Sequence, residues 1–157
     1  MIVLGLDPGV ATIGYSFLDI NERNFELLQC GVISTSANQL PWERLKIIRE
    51  DISELITNFK PEVAAIELVY FAKNVKTAMK VAQARGVIVE AVHSAGVDKI
   101  IEMTPTHVKQ VLFGHGRAVK KEIQMVVAQA LGMKELIKPD DAADATALAL
   151  AYMRSQY

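Results

Sequence analysis

Four acidic residues stand out by where they fall. Asp7 follows the apolar run Ile2-Val3-Leu4-Gly5-Leu6, Glu67 closes Val63-Ala64-Ala65-Ile66, and Asp141 and Asp144 lie three apart among Ala142, Ala143, Ala145 and Ala147. Charged side chains at the ends of apolar runs are poor core-builders, and two carboxylates on one helix face repel each other. No local basic partner is expected for the Asp141 and Asp144 pair, so a bound cation is the natural remedy. Hard oxygen ligands without clustered His or Cys select Mg²⁺ or Mn²⁺ over zinc. Two such ions about 4 Å apart can activate a water and stabilise a departing oxygen, which is the chemistry of phosphodiester hydrolysis. The chain holds one such cluster. Asp140, directly after Pro139, is expected to cap the last helix instead.

Positioning these groups requires a sheet that delivers Asp7 and Glu67 to one edge. Segments 2–7, 13–20 and 25–35 read as strands, and their short connections imply antiparallel hairpins. Leu45, Ile48, Ile52, Leu55, Ile56 and Phe59 recur at helical spacing after Pro41, and Pro61 ends that helix. A strand at 62–67, a helix at 75–95 and a strand at 98–103 follow. Thr104-Pro105-Thr106 opens a short helix, Phe113-Gly114-His115-Gly116-Arg117 breaks it, and helices at 119–131 and after Pro139 complete the order. The expected architecture is α/β: a mixed five-stranded sheet with helices on both faces, fitting the ribonuclease-H-like fold over one domain, 1–157.

At 157 residues and 51% apolar content the chain can bury a real core. No apolar run approaches the roughly 20 residues that span a bilayer. The first residues lack a basic leader, and one cysteine, Cys30, cannot form an internal disulfide, so a reducing cytoplasm is expected, with Cys30 buried in a strand. The net charge of −1 is a poor advertisement for nucleic-acid binding. Its distribution differs: between Lys73 and Lys121 nine basic residues face three acidic ones, a net of +6, while the remainder carries −7. A basic binding face beside an acidic metal site would produce such asymmetry.

Five motifs in order resemble one family, the RuvC-type Holliday-junction resolvases. They are Gly5-Leu6-Asp7-Pro8-Gly9; Glu67 through Phe71-Ala72-Lys73-Asn74 to Gln83-Ala84-Arg85-Gly86; Thr104-Pro105-Thr106-His107-Val108-Lys109-Gln110; Gly114-His115-Gly116-Arg117-Ala118; and Asp141-Ala142-Ala143-Asp144-Ala145. The resemblance covers nearly the whole chain and places the family's catalytic carboxylates on Asp7, Glu67, Asp141 and Asp144. It implies that Tyr70, where Phe is more usual, stacks near the junction centre, that Lys109 and Lys120 grip DNA, and that Lys73, Asn74 and Arg117 assist. It further implies a homodimer that binds four-way junction DNA and makes paired symmetric nicks in strands of like polarity. Mg²⁺, with Mn²⁺ also supporting activity, would act as two ions per subunit, alongside a branch-migration complex of the RuvAB type. The Ala and Gly residues of the helix around Gln83-Ala84-Arg85-Gly86-Val87-Ile88 make it the expected dimer surface.

Three other readings compete. A YqgF-type relative acting on RNA would differ in substrate preference, and a non-catalytic DNA-binding module would bind without metal-dependent nicking. An actin-like or sugar-kinase ATPase is suggested by Asp7-Pro8-Gly9, but 157 residues cannot supply its two lobes.

Overall fold

The computed structural model describes residues 1–9, 11–21, 24–68 and 75–156. Its strands are β1 (Ile2–Pro8), β2 (Thr12–Asn21), β3 (Asn24–Ser34), β4 (Val63–Glu67) and β5 (Lys99–Met103). They form one sheet in the order β3-β2-β1-β4-β5. β1, β2 and β3 are antiparallel neighbours, whereas β1, β4 and β5 run parallel. The helices are α1 (Pro41–Phe59), α2 (Val75–Ser94), α3 (Pro105–Phe113), α4 (Lys120–Ala130) and α5 (Asp140–Arg154). This is the mixed, ribonuclease-H-like sheet that the sequence led us to expect.

Alternation along the strands divides the core in two. Leu4 and Leu6 of β1 and Ala64 and Ile66 of β4 face α1 and α2, meeting Ile48, Ile52, Ile56, Ile88 and Val92. Val3, Val63 and Ala65 face the other way, into a core shared with α3, α4 and α5. The same period of two turns Asp7 and Glu67 towards the α5 side. Leu6 pairs with Ile66, so the next residues on the parallel strands, Asp7 and Glu67, are neighbours on that face.

Helix α5 is buried nearly all round. From Ala142 to Met153 every residue is buried except Asp144. Its alanines let it lie against β1 and β2, where Gly5 and Gly14 remove the side chains that would obstruct it. A Cβ on Gly5 would collide with the carbonyl oxygen of Ala145, and one on Gly14 with that of Asp141. The register of the acids against the sheet is therefore set by backbone contact.

Local signals account for the other helix ends. The Leu40 N–H donates to Glu43 at 2.9 Å before α1, and Lys60 ends it with φ 49° ahead of Pro61. Thr104 Oγ1 accepts from the His107 N–H at 3.0 Å, and Gly114 closes α3 with φ 77°.

Several expectations need correction. Pro139, not Asp140, is the residue before the first turn of α5, and the Asp140 side chain pairs with Lys120 across the fold. Ala84 is 5% exposed and packs beneath α2 in its own subunit's core, so it cannot line a dimer surface. Gly86 is exposed, with open space where its Cβ would be. Cys30 is only partly buried, although burial raises its thiol pKa. Arg85 forms an ion pair with Glu102 and is thereby drawn from the basic face into the contact between α2 and β5.

Candidate active site

β1 and β4 both end at the same edge of the sheet, and the first turns of α5 come down over that edge. Asp7 and Glu67 share a hydrogen bond there. Burial pushes the Asp7 pKa up to about 8, reinforced by the neighbouring charges of Glu67 and Asp141. Glu67 is also raised, chiefly by burial and then by Asp144, although as acceptor of the Asp7 proton it is partly relieved. Asp7 and Glu67 therefore titrate as a pair, with both acids held above the ordinary carboxylate range. Asp144 is moved up to about 6, by burial first and by Asp7 second.

Three acids in the first two turns of α5 go to three places. Asp141 Oδ2 accepts a 2.8 Å hydrogen bond from Thr12 Oγ1 at the start of β2. Asp144 faces a cleft of about 190 Å³ together with Glu67, Lys109 of α3 and Lys120 of α4, above a floor that includes Val108, Ile123 and Leu148. Asp140 lies outside that cleft, and its Oδ2 accepts from Lys120 Nζ at 2.7 Å. Lys120 Nζ is also 4.0 Å from Asp144 Oδ2. Asp144 thus has a basic neighbour that is distant in sequence, Lys120 of α4, rather than a local one. Asp140 and, to a lesser degree, Asp144 and Asp141 raise the Lys120 pKa, while the ammonium lowers that of Asp140.

All four proposed carboxylates thus lie at this edge, and two of them, Glu67 and Asp144, line the cleft with Lys109 and Lys120. Arg117 is exposed in the loop before α4, where its N–H donates to His115 Nδ1 at 3.3 Å. Tyr70, Lys73 and Asn74 lie outside the described residues. His93, His107 and His115 are all exposed, and none lines the cleft. Thr12 escaped the sequence reading, and Asp140 entered it only as a helix cap. Asp140 left a trace, since it stands four residues before Asp144 and so shares its helix face; the Thr12 contact spans 129 positions and left none.

The arrangement suits hydrolysis of a polyanion. Half-buried carboxylates at one sheet edge supply the ligand type that a divalent cation takes, and the flanking ammonium groups can offset phosphate charge. Comparison with known proteins agrees. The family model described as "Crossover junction endodeoxyribonuclease RuvC" matches residues 3–152. Proteins of that name from Natranaerobius thermophilus and Halothermothrix orenii are 43% and 41% identical over 155 residues, covering 99% of this chain and 96% and 93% of theirs. The solved structure of Thermus thermophilus RuvC superimposes with a TM-score of 0.91 at 34% identity, over 99% of this chain and 95% of that one. The same organism's RuvC in complex with Holliday junction substrate gives 0.90 at 31% identity, with the same coverage. With its acids and lysines at the edge that this fold builds, the chain belongs to the RuvC family of crossover junction endodeoxyribonucleases.

Proposed function

We propose that the protein resolves four-way DNA junctions by metal-dependent phosphodiester hydrolysis, with Asp7, Glu67, Asp141 and Asp144 as its metal-binding carboxylates. One observation carries this reading: half-buried acids from β1, β4 and α5 lie at one sheet edge beside a lysine-flanked cleft in a chain of the crossover junction endodeoxyribonuclease family. That family is one of metal-dependent nucleases.

The donor set fits a hard cation. Every candidate ligand is a carboxylate, and burial together with mutual repulsion holds Asp7, Glu67 and Asp144 above the ordinary carboxylate range. Among the described residues no three acidic, His or Cys side chains are already gathered closely enough to hold an ion. Binding therefore has to draw these carboxylates together and compete with the protons that burial favours on them. Mg²⁺ is the ion favoured here, with Mn²⁺ as a substitute and two ions per subunit; when bound, these would activate the attacking water and stabilise the departing oxygen.

The chain's own groups do the rest. Thr12 orients Asp141 through its hydroxyl. Lys109 and Lys120 meet the phosphates flanking the scissile bond, and Arg117, Lys73 and Asn74 contact the duplex arms. Tyr70 offers a stacking face for a base near the junction centre. Residues 1–157 act as one nuclease domain in the cytoplasm. Each domain has one carboxylate cluster, so symmetric nicks in two strands of like polarity call for a two-fold dimer. The outward side of α2 around Gly86 is its candidate surface, and a RuvAB-type branch-migration complex is the partner that would deliver the junction. No helix among the described residues is long and apolar enough to cross a membrane.

The test is cleavage of a synthetic four-way junction against a linear duplex and a structured RNA, each with Mg²⁺ and with EDTA. Paired nicks at symmetric positions, on the junction alone and only with metal, are expected. Equal cutting of linear duplex, preference for RNA, or activity in EDTA would refute the proposal.

A further inference from the structure

Lys120 occupies an awkward position. It is the first residue of α4, where the positive end of the helix dipole repels a cation. It is not needed there to start the helix, because Glu122 already accepts from the Val119 N–H at 2.7 Å. A long, half-exposed lysine stem also loses much rotamer freedom when it is held in one place. Something must hold it.

The nearest anion does so. Asp140 and Asp144 stand four apart on α5 and share a face, and the ammonium lies 2.7 Å from Asp140 but 4.0 Å from Asp144. Asp141 is turned to Thr12, from which its Oδ2 accepts a hydrogen bond. The closest contact thus belongs to the one acid of the group that stands outside the proposed metal set. We propose that Asp140 is a positioning residue for Lys120, holding the ammonium at the rim of the cleft, where it can meet a phosphate, and off the carboxylate oxygens that would bind metal. This rests on the functional reading above and adds a residue to it.

The consequence is directional. With Asp140 gone, the nearest anion to Lys120 is Asp144, and the ammonium settles there as a competitor for the cation. The pair is largely solvent-accessible, so the tether is modest and an arriving phosphate can break it.

The decisive experiment crosses Asp140→Asn with Lys120→Ala. Mn²⁺ affinity of the DNA-free protein, measured by electron paramagnetic resonance titration, should weaken by up to about fivefold in Asp140→Asn, the range of an exposed ion pair. In the Lys120→Ala background the same substitution should change it by less than about half as much. Single-turnover cleavage at saturating junction should fall roughly 10- to 100-fold in Asp140→Asn, because the ammonium is misplaced, while junction affinity in EDTA is unweakened. Asp140→Glu should recover part of the loss. Thermal midpoints of all variants check that the fold persists. Equal losses of Mn²⁺ affinity in both backgrounds would mean that Asp140 acts by its own charge, and no loss in either would mean that it positions nothing; each overturns the proposal. A wild-type protein that binds Mn²⁺ yet leaves junctions intact refutes the functional reading, while the Mn²⁺ cycle still decides the tether.

Discussion

Converting Asp7 to Asn should stabilise the metal-free protein at alkaline pH, even though it removes a residue assigned to catalysis. Folding raises the Asp7 pKa from 3.8 to about 8, through burial and the neighbouring acids. The native state therefore holds a proton at pH values where the unfolded chain has released it. Between about pH 4 and pH 8 the native protein binds more protons than the unfolded one, so its stability falls as the pH rises through that window and levels off above it. A shift of this size sets a ceiling of about 5 kcal/mol on the cost at pH 8. Asp7 keeps some contact with water and shares its proton with Glu67, so roughly half of that is the sensible expectation. The Asn amide can donate to Glu67 in place of the carboxyl proton and never has to ionise.

For a chain of this length each kcal/mol moves the thermal midpoint by about 2–4 °C. Calorimetry in EDTA should therefore show Asp7→Asn melting roughly 5–10 °C above wild type at pH 8. The gap should shrink by more than half at pH 5. Asp144 and Glu67 are also shifted upwards, and Asp7 acts on both, so the difference reports Asp7 together with its coupling to these two acids. Mg²⁺ should then reverse the order, because an ion that binds only the native state stabilises the protein with the intact site more. A variant less stable than wild type at pH 8 in EDTA, or a gap independent of pH, would refute the argument.

Three further outcomes follow from the same geometry. In single-turnover assays Asp7→Asn should lower junction cleavage by orders of magnitude while leaving binding intact, and wild-type turnover would reduce Asp7 to a turn residue. Lys109→Ala should flatten the dependence of log affinity on log salt by about 0.9, the share of one phosphate contact; an unchanged slope places Lys109 off the DNA. Sedimentation at micromolar concentration should give twice the monomer mass, and Gly86→Glu should lower it and reduce paired nicking more than single nicking. A sedimenting monomer that makes both cuts would remove α2 from the account.

Much of this architecture was legible because strands and helices keep strict periods. Val3-Gly5-Asp7 and Val63-Ala65-Glu67 each follow the parity of one sheet face, so the apolar runs that identify β1 and β4 also point their terminal acids to a common side. The alanines between Asp141 and Asp144 likewise announced a closely packed helix. Contacts between distant elements left no such pattern. Lys120 meets Asp140 only because α3 and α4 pack against α5, and a residue after a proline looks like a helix cap until the fold supplies a better partner. Arg85 counted as a basic-face residue until β5 brought Glu102 to it. Ala84 resembled an interface residue because small residues permit close approach to any neighbour, including the subunit's own sheet.

Two of the sheet's glycines tie stability to the site. Gly5 and Gly14 allow the backbone of α5 to rest directly on β1 and β2, and the carbonyls they face belong to Ala145 and Asp141, one of which is itself a candidate ligand. A side chain at either position cannot be accommodated by rotating a neighbour, because the obstacle is backbone; α5 as a whole would have to lift. Lifting it would open the core beneath the alanines and at the same time draw Asp141 and Asp144 away from Asp7 and Glu67. Stability and site geometry therefore depend on the same contact. The cost runs both ways: the close seating that buries α5 also desolvates Asp7 and Asp144 and holds their pKa values high, so the protein carries a penalty in its metal-free state that only a proton or a cation relieves.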